Sequence, residues 1–218
     1  DLGGCRCILM SVDEVYSFFE KYQKTRIRHE FKRSYDYIKE PKISGYRSLH
    51  LVYKFHSDKK ETYNKNILIE LQFRTHLQHI WATALETMGI FTKQNLKAGQ
   101  GAPYVKRFFV LVSSIFALEE NCPIVPGTVN DKSELILEIE CINARYNVLD
   151  TLSAINVFSN YTREVEMKKS GYYMLILNFN THRLSIKYFM PSEIDNANEI
   201  YSQIERTRAE NKIDAVLV

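Results

Sequence analysis

The chain is predicted to be an α/β (α+β) protein with a mixed β-sheet flanked by helices, and three observations predict it. Residues 46–54 and 67–74 alternate with the two-residue period of a strand. The insert at 57–66, SDKKETYNKN, is hydrophilic and turn-forming, so the two runs are expected to pair as antiparallel neighbours. Segments with helical spacing stand before and after them.

Taken in order, residues 1–10 (DLGGCRCILM) read as a strand whose Gly3 and Gly4 permit a close backbone approach. Residues 12–24 are the first helix, with Val12, Val15, Phe18, Phe19 and Tyr22 at helical spacing. Ser11 is its N-cap, and Asp13 and Glu14 suit its first turn. Residues 24–32 alternate again, placing Lys24, Arg26, Arg28 and Lys32 on one face of an expected edge strand. That basic row reads either as a solvated edge or as a wall for phosphates or RNA. A helix over 75–92 buries Leu77, Trp81, Ala84, Leu85 and Met88. The basic loop 93–101 and a second helix from Pro103 to about Cys122 follow. Residues 123–130 (PIVPGTVN) mark the clearest boundary. Residues 131–165 read as one long helix with Leu135, Ile139, Ile142, Tyr146 and Leu149 on one face. Strands at 172–179 and 183–190 form a hairpin, then come a helix over 191–211 and a strand over 213–218.

The alternation singles out one row. In the first run Arg47, Leu49, Leu51 and Tyr53 share a face, and Tyr46, Ser48 and His50 share the other. In the second, Ile67, Ile69, Leu71 and Phe73 oppose Leu68, Glu70, Gln72 and Arg74. A buried unpaired charge costs several kcal/mol, so Glu-x-Gln-x-Arg beside Ser48 and His50 reads as a polar floor under a ligand. An antiparallel sheet with one wet face accounts for the same row.

Composition narrows the class. The 218 residues are 45% apolar and 25% charged, with a net charge of +3, which permits polyphosphate substrates without requiring nucleic acid. Cysteines at 5, 7, 122 and 141 make neither a C-x-x-C pair nor a zinc spacing, and Cys5 and Cys7 read as small buried fillers. A reducing cytoplasm fits. The longest apolar run, 108–118, is shorter than the ~20 residues of a membrane span. His76 and His79, three apart, lack a nearby third metal ligand.

Several separated motifs carry a resemblance: DYI at 36–38, PK at 41–42, SGYRSLH at 44–50, ELQFRT at 70–75 and WA at 81–82. Their order and spacing resemble the RelA/SpoT synthetase family, and DLGGCR at 1–6 is similar to that family's first catalytic strand. The resemblance covers about residues 1–92 and implies a nucleotidyltransferase-like synthetase core. It implies a pyrophosphokinase that moves the β,γ-pyrophosphate of ATP onto the 3′-hydroxyl of GDP or GTP, making (p)ppGpp. Glu70 falls where the family has its general base and Mg2+ ligand, and Asp1 where it has the second Mg2+ ligand. Tyr46 matches the tyrosine that stacks on the acceptor base. Lys42 and His50 match positions facing acceptor phosphates and the site floor, which Ser48, Gln72 and Arg74 complete. Arg6 and Tyr37 belong to the same substrate-binding set. Ser44 and Tyr35 depart from the family's common asparagine and lysine and touch the acceptor pocket. The family's ATP-clamping basic segment precedes the aspartate strand, and the chain opens on Asp1; phosphate neutralisation then falls to Arg6, Lys42 and the ion.

The expected organisation is a synthetase core over 1–128, its upstream part absent, and a helical and β-hairpin–helix–strand extension over 129–218. The partners implied are ATP and GDP/GTP, with no membrane; the sequence leaves a homo-oligomer open. Two alternatives stand beside this reading. One is a toxin-type relative that pyrophosphorylates the 3′ end of tRNA. The other is a nucleotide-sensing or partner-binding module that has lost catalysis.

Overall fold

The structure, a computed structural model, describes residues 3–57, 59, 67–92, 94–164, 171–178, 180–181, 183–211 and 213–217. It forms two compact units, Asp1–Thr83 with Lys106–Ile139 and Ala84–Val105 with Glu140–Val218. The boundaries fall inside three helices, and residue 128 lies within the first unit.

The first unit is built on a mixed four-stranded sheet in the order β1-β4-β3-β2, formed by β1 (Gly3–Leu9), β2 (Glu30–Asp36), β3 (Leu49–Lys54) and β4 (Leu68–Thr75). β2, β3 and β4 are antiparallel neighbours, and β1 adds parallel to β4. One face is apolar because alternation sends Leu49, Leu51, Tyr53 and Phe73 to the same side. There they pack with Val15 of α1 (Val12–Lys24) and with Ile38. Ser11 caps α1 as expected, its hydroxyl accepting from the Glu14 amide at 3.2 Å. The helix over 75–92 is α2 (His76–Phe91), and Trp81, 3% exposed, donates its indole N–H to the Phe109 carbonyl of α3 (Pro103–Glu119) at 2.8 Å.

Three expectations are corrected. Residues 24–32 are not one strand: Lys24 ends α1, and the Thr25 amide closes that helix by donating to the Lys21 and Tyr22 carbonyls. Ile27 packs against the core and pairing starts only at Glu30, so Lys24, Arg26, Arg28 and Lys32 form no common row. The segment 131–165 is two helices, α4 (Lys132–Tyr146) and α5 (Val148–Glu164). The break is Asn147, whose φ of 51° lies in the left-handed region that asparagine tolerates better than most residues. Its neighbour Leu149, expected on the buried face, is exposed. Cys5 is exposed rather than a buried filler, while Cys7 packs against the core.

The second unit contains a three-stranded antiparallel sheet, β6-β5-β7, from β5 (Tyr172–Asn178), β6 (Arg183–Phe189) and β7 (Ile213–Leu217). Helix α6 (Ile194–Asn211) closes it over Met174, Phe189, Ala197 and Leu217, so the expected hairpin–helix–strand unit is present. A short 3-10 turn at Pro191–Glu193 precedes α6, as proline's fixed φ favours. Among the described residues no helix is long and apolar enough to cross a membrane.

Leu51 is fully buried at the centre of the first unit's core. Leu51→Ala is expected to destabilise that unit by about 2–5 kcal/mol in urea unfolding, and a loss below about 1 kcal/mol would contradict the packing described.

Candidate active site

The opposite face of the first sheet is polar because β4 sends Glu70, Gln72 and Arg74 to the side away from the core. Register sets their neighbours. Gln72 lies opposite His50 on β3 and Arg6 on β1, and His50 lies opposite Tyr35 on β2. One row thus crosses all four strands, and Glu70 sits one step along β4, opposite Gly4 and Val52.

The side chains close a hydrogen-bonded ring. Arg74 Nη2 donates to Tyr46 Oη at 2.5 Å, and Tyr46 Oη lies 2.9 Å from His50 Nε2. His50 Nδ1 lies 2.5 Å from Glu70 Oε1. On the other side Arg74 Nη2 donates to Gln72 Oε1 at 2.8 Å, and Gln72 Nε2 donates to Glu70 Oε2 at 2.7 Å. The donor inventory fixes the directions. The guanidinium only donates, so the Tyr46 hydroxyl accepts from it and donates its own O–H to His50 Nε2. His50 is then the Nδ1–H tautomer and donates to Glu70. Two donor chains leave Arg74 and both end on Glu70, one on each oxygen.

The titration directions agree. Burial lowers the pKa of His50, and Arg74 and Lys42 add to this, outweighing the Glu70 carboxylate, so the ring is neutral at pH 7. Its contact with Glu70 is a hydrogen bond rather than an ion pair. Burial alone would raise Glu70, but the bonds from Gln72 and His50 and the Arg74 charge outweigh it and hold the carboxyl below its ordinary range. The site therefore keeps an ionised carboxylate beside a neutral imidazole.

An aromatic and cationic rim borders the ring. Tyr37, just past β2, meets Tyr46 and His50 edge to face at 5.9 and 5.3 Å and stacks parallel on Tyr35 at 5.6 Å. The Lys42 ammonium stands 4.3 Å from the Tyr37 centroid and 5.3 Å from that of Tyr46, and the Arg33 guanidinium 5.7 Å from that of Tyr35. Ser48 is buried, its hydroxyl donating to the Phe73 carbonyl and accepting from Arg74 Nε at 3.3 Å, so its part is to seat the arginine.

Of the residues the sequence singled out, Tyr37, Lys42, Tyr46, Ser48, His50, Glu70, Gln72 and Arg74 are brought together. Arg6 is exposed on β1 in register with Gln72. Ser44 is exposed in the turn before Gly45 and does not join the network. Asp1 and most of the 57–66 insert lie outside the described residues. Sequence reasoning placed Tyr35 at the pocket but not its stack on Tyr37, and it did not find the burial of Arg47 behind the site. The signal for Arg47 was visible, since it is the one charge on the apolar side of the 46–54 run.

Both key groups predict an acid-labile site. A histidine or carboxyl with a depressed folded pKa contributes stability above its unfolded value and loses it as pH falls through the folded value. His50 should begin to cost stability below about pH 6.5 and Glu70 below about pH 4.5. Urea midpoints measured from pH 8 to 4 are expected to fall in the parent and to fall less in His50→Gln. Parallel curves would contradict the neutral-histidine assignment.

Residues 1–95 match the region found in RelA / SpoT proteins. No curated protein matches the chain. Among solved structures, a GTP pyrophosphokinase family protein from Streptococcus pneumoniae is 28% identical over 54% of this chain and 55% of its own, with a TM-score of 0.45. Small alarmone synthetase 1 from Bacillus subtilis, bound to its product pppGpp, is 27% identical over 54% of this chain and 57% of its own, TM-score 0.45. The same Bacillus subtilis protein bound to AMPCPP aligns at 23% identity over 54% of each chain, TM-score 0.36. The chain spans little more than half the length of each. The Glu70 network lies within the residues, 1–95, that match the region found in RelA / SpoT proteins.

Proposed function

We propose that the polar face is the catalytic floor of a pyrophosphokinase that transfers the β,γ-pyrophosphate of ATP to the 3′-hydroxyl of GDP or GTP. The observation that carries this is Glu70, an anion with each oxygen fixed by a donor chain and set in a rim of aromatic and cationic groups. The RelA / SpoT match over residues 1–95 supports it. The acceptor hydroxyl gives its proton to Glu70, its oxygen bonds the β-phosphorus, and the bond to the bridging oxygen breaks with its electron pair leaving on AMP. A depressed pKa makes Glu70 a weak base, so positioning supplies most of its contribution. Tyr46 and Tyr37 offer faces and edges for the acceptor base, and Lys42 and Arg6 offer charge for phosphates.

Mg2+ suits this donor set. A carboxylate has about four lone-pair sites, and two hydrogen bonds leave room for a hard cation. Mg2+ is commonly held by one or two carboxylates together with substrate phosphates. Glu70 would be one ligand and Asp1 the other. Among the described residues no cluster of three histidine, cysteine or acidic side chains forms a cage of its own. When bound, the ion neutralises polyphosphate charge and polarises the phosphorus under attack.

A second reading, an RNA 3′ end as acceptor, is favoured by one observation. Tyr35 and Tyr37 stack on each other with a cation at each end, Arg33 over Tyr35 and Lys42 over Tyr37, and rings with flanking charge are what hold single-stranded nucleic acid by stacking and electrostatics. The row over 24–32 no longer supports it.

Glu70→Gln keeps the shape and removes the charge. Transfer from labelled ATP is expected to fall by about 10²–10⁴-fold while guanine-nucleotide binding by calorimetry persists, and unchanged turnover would sink the assignment.

The acceptor is decided by salt. An RNA held through about six phosphates should lose about 10³-fold in affinity between roughly 50 and 200 mM salt, and a free nucleotide far less. With GDP, GTP and deacylated tRNA assayed in parallel, Arg33→Ala, which removes the cation over Tyr35 and leaves both rings, is expected to keep transfer to nucleotide within about twofold. Transfer to tRNA alone, with steep salt dependence and loss in this variant, would replace the nucleotide reading.

A further inference from the structure

The segment from Tyr37 to Tyr46 carries Lys42 between Tyr37 of the rim and Tyr46 of the ring, yet it belongs to no strand or helix. Its first turn is held by Asp36, whose Oδ1 accepts from the Ile38 and Lys39 amides at 3.1 and 3.0 Å. Its far end depends on Arg47, which is 3% exposed. Arg47 Nη1 donates to the Ile38 carbonyl at 3.3 Å, Nε to Ser113 Oγ at 3.1 Å and Nη2 to the Pro123 carbonyl at 2.6 Å. Ser113, on α3, passes the contact on by donating to the Gly45 carbonyl at 2.6 Å. One guanidinium thus grips the start of the loop directly and its end through one hydroxyl.

The loop is also seated closely. Gly45 has φ of 90°, and a Cβ there would lie 2.9 Å from Ser113 Cβ and 3.0 Å from the Trp81 ring. Its backbone therefore presses on α2 and α3 where no larger residue fits. Arg47 stands between Tyr46 and Ser48 in sequence, and its side chain points to the opposite face from theirs. Fixing it fixes two of the three residues that hold Arg74.

We infer that Arg47 is a positioning residue, a buried clamp that holds the Tyr37–Tyr46 loop so that Lys42 and Tyr46 meet the acceptor. It touches neither the reacting atoms nor the Glu70 ring. This rests on the pyrophosphokinase reading for the identity of the acceptor, but not for the clamp itself. A guanidinium is required because its donors must reach three separate segments in fixed directions, and the compact ammonium of lysine cannot.

The test pairs Arg47→Lys with the milder Ser113→Ala, so that failure of the first to fold leaves the second. Amide exchange followed by mass spectrometry is expected to accelerate about tenfold or more over residues 39–46, with β4 unchanged. In transfer assays the KM for GDP should rise about tenfold for Arg47→Lys while the KM for ATP stays within about twofold. Unchanged loop exchange in both variants overturns the inference. So does an equal rise in both KM values, which would mark a general structural role. If the parent protein binds no guanine nucleotide, the pyrophosphokinase reading fails, and loop exchange alone decides the clamp.

Discussion

The buried Arg74 guanidinium is the group around which the polar face is ordered. A cation removed from water must be solvated by the protein, and Ser48, Tyr46 and Gln72 supply that solvation. Because each of the last two has hydrogen-bonding capacity left over, the requirement propagates outward. Tyr46 orients His50, Arg74 orients the Gln72 amide, and His50 and Gln72 each donate a hydrogen bond to the same carboxylate. Against its burial, Glu70 is thus held ionised chiefly by Gln72 and His50, and Arg74, four positions along the same strand, adds its charge and orders both donors.

Much of this is legible in the sequence where a single physical rule acts. The two-residue period fixes which side chains share a face, so the row of Glu70, Gln72 and Arg74 beside His50 follows from alternation alone. Helix capping is equally local, and Ser11 behaves as its type dictates. The failures come where a local pattern meets competition. Residues 24–32 alternate like a strand, but the end of α1 claims Thr25 and the core claims Ile27. The apolar spacing over 131–165 continues across Asn147, and periodicity cannot detect one residue that leaves the right-handed region. The type of Cys5 suggests burial, whereas exposure depends on what covers β1.

Arg47 shows a different limit. A charge on the apolar side of a strand is a visible anomaly, but its partners come from Ile38, Ser113 and Pro123. Sequence spacing says nothing about such contacts. The stacking of Tyr35 on Tyr37 is similar: period two puts both on one face, yet only the turn after β2 brings Tyr37 against Tyr46 and His50.

The placement of β1 also bears on the order of assembly. β2, β3 and β4 follow one another along the chain and pair with their sequence neighbours, so the meander that bears Tyr46, His50, Glu70 and Arg74 can zip from local contacts. β1 is made before these three, but among the described residues its strand partner is β4, with Gly3 opposite Ile69. Its loop closure spans everything between, and that entropy is recovered only after β4 exists. During synthesis the strand that carries Arg6 therefore cannot take its place in this sheet until β4, with the polar floor it bears, has been made.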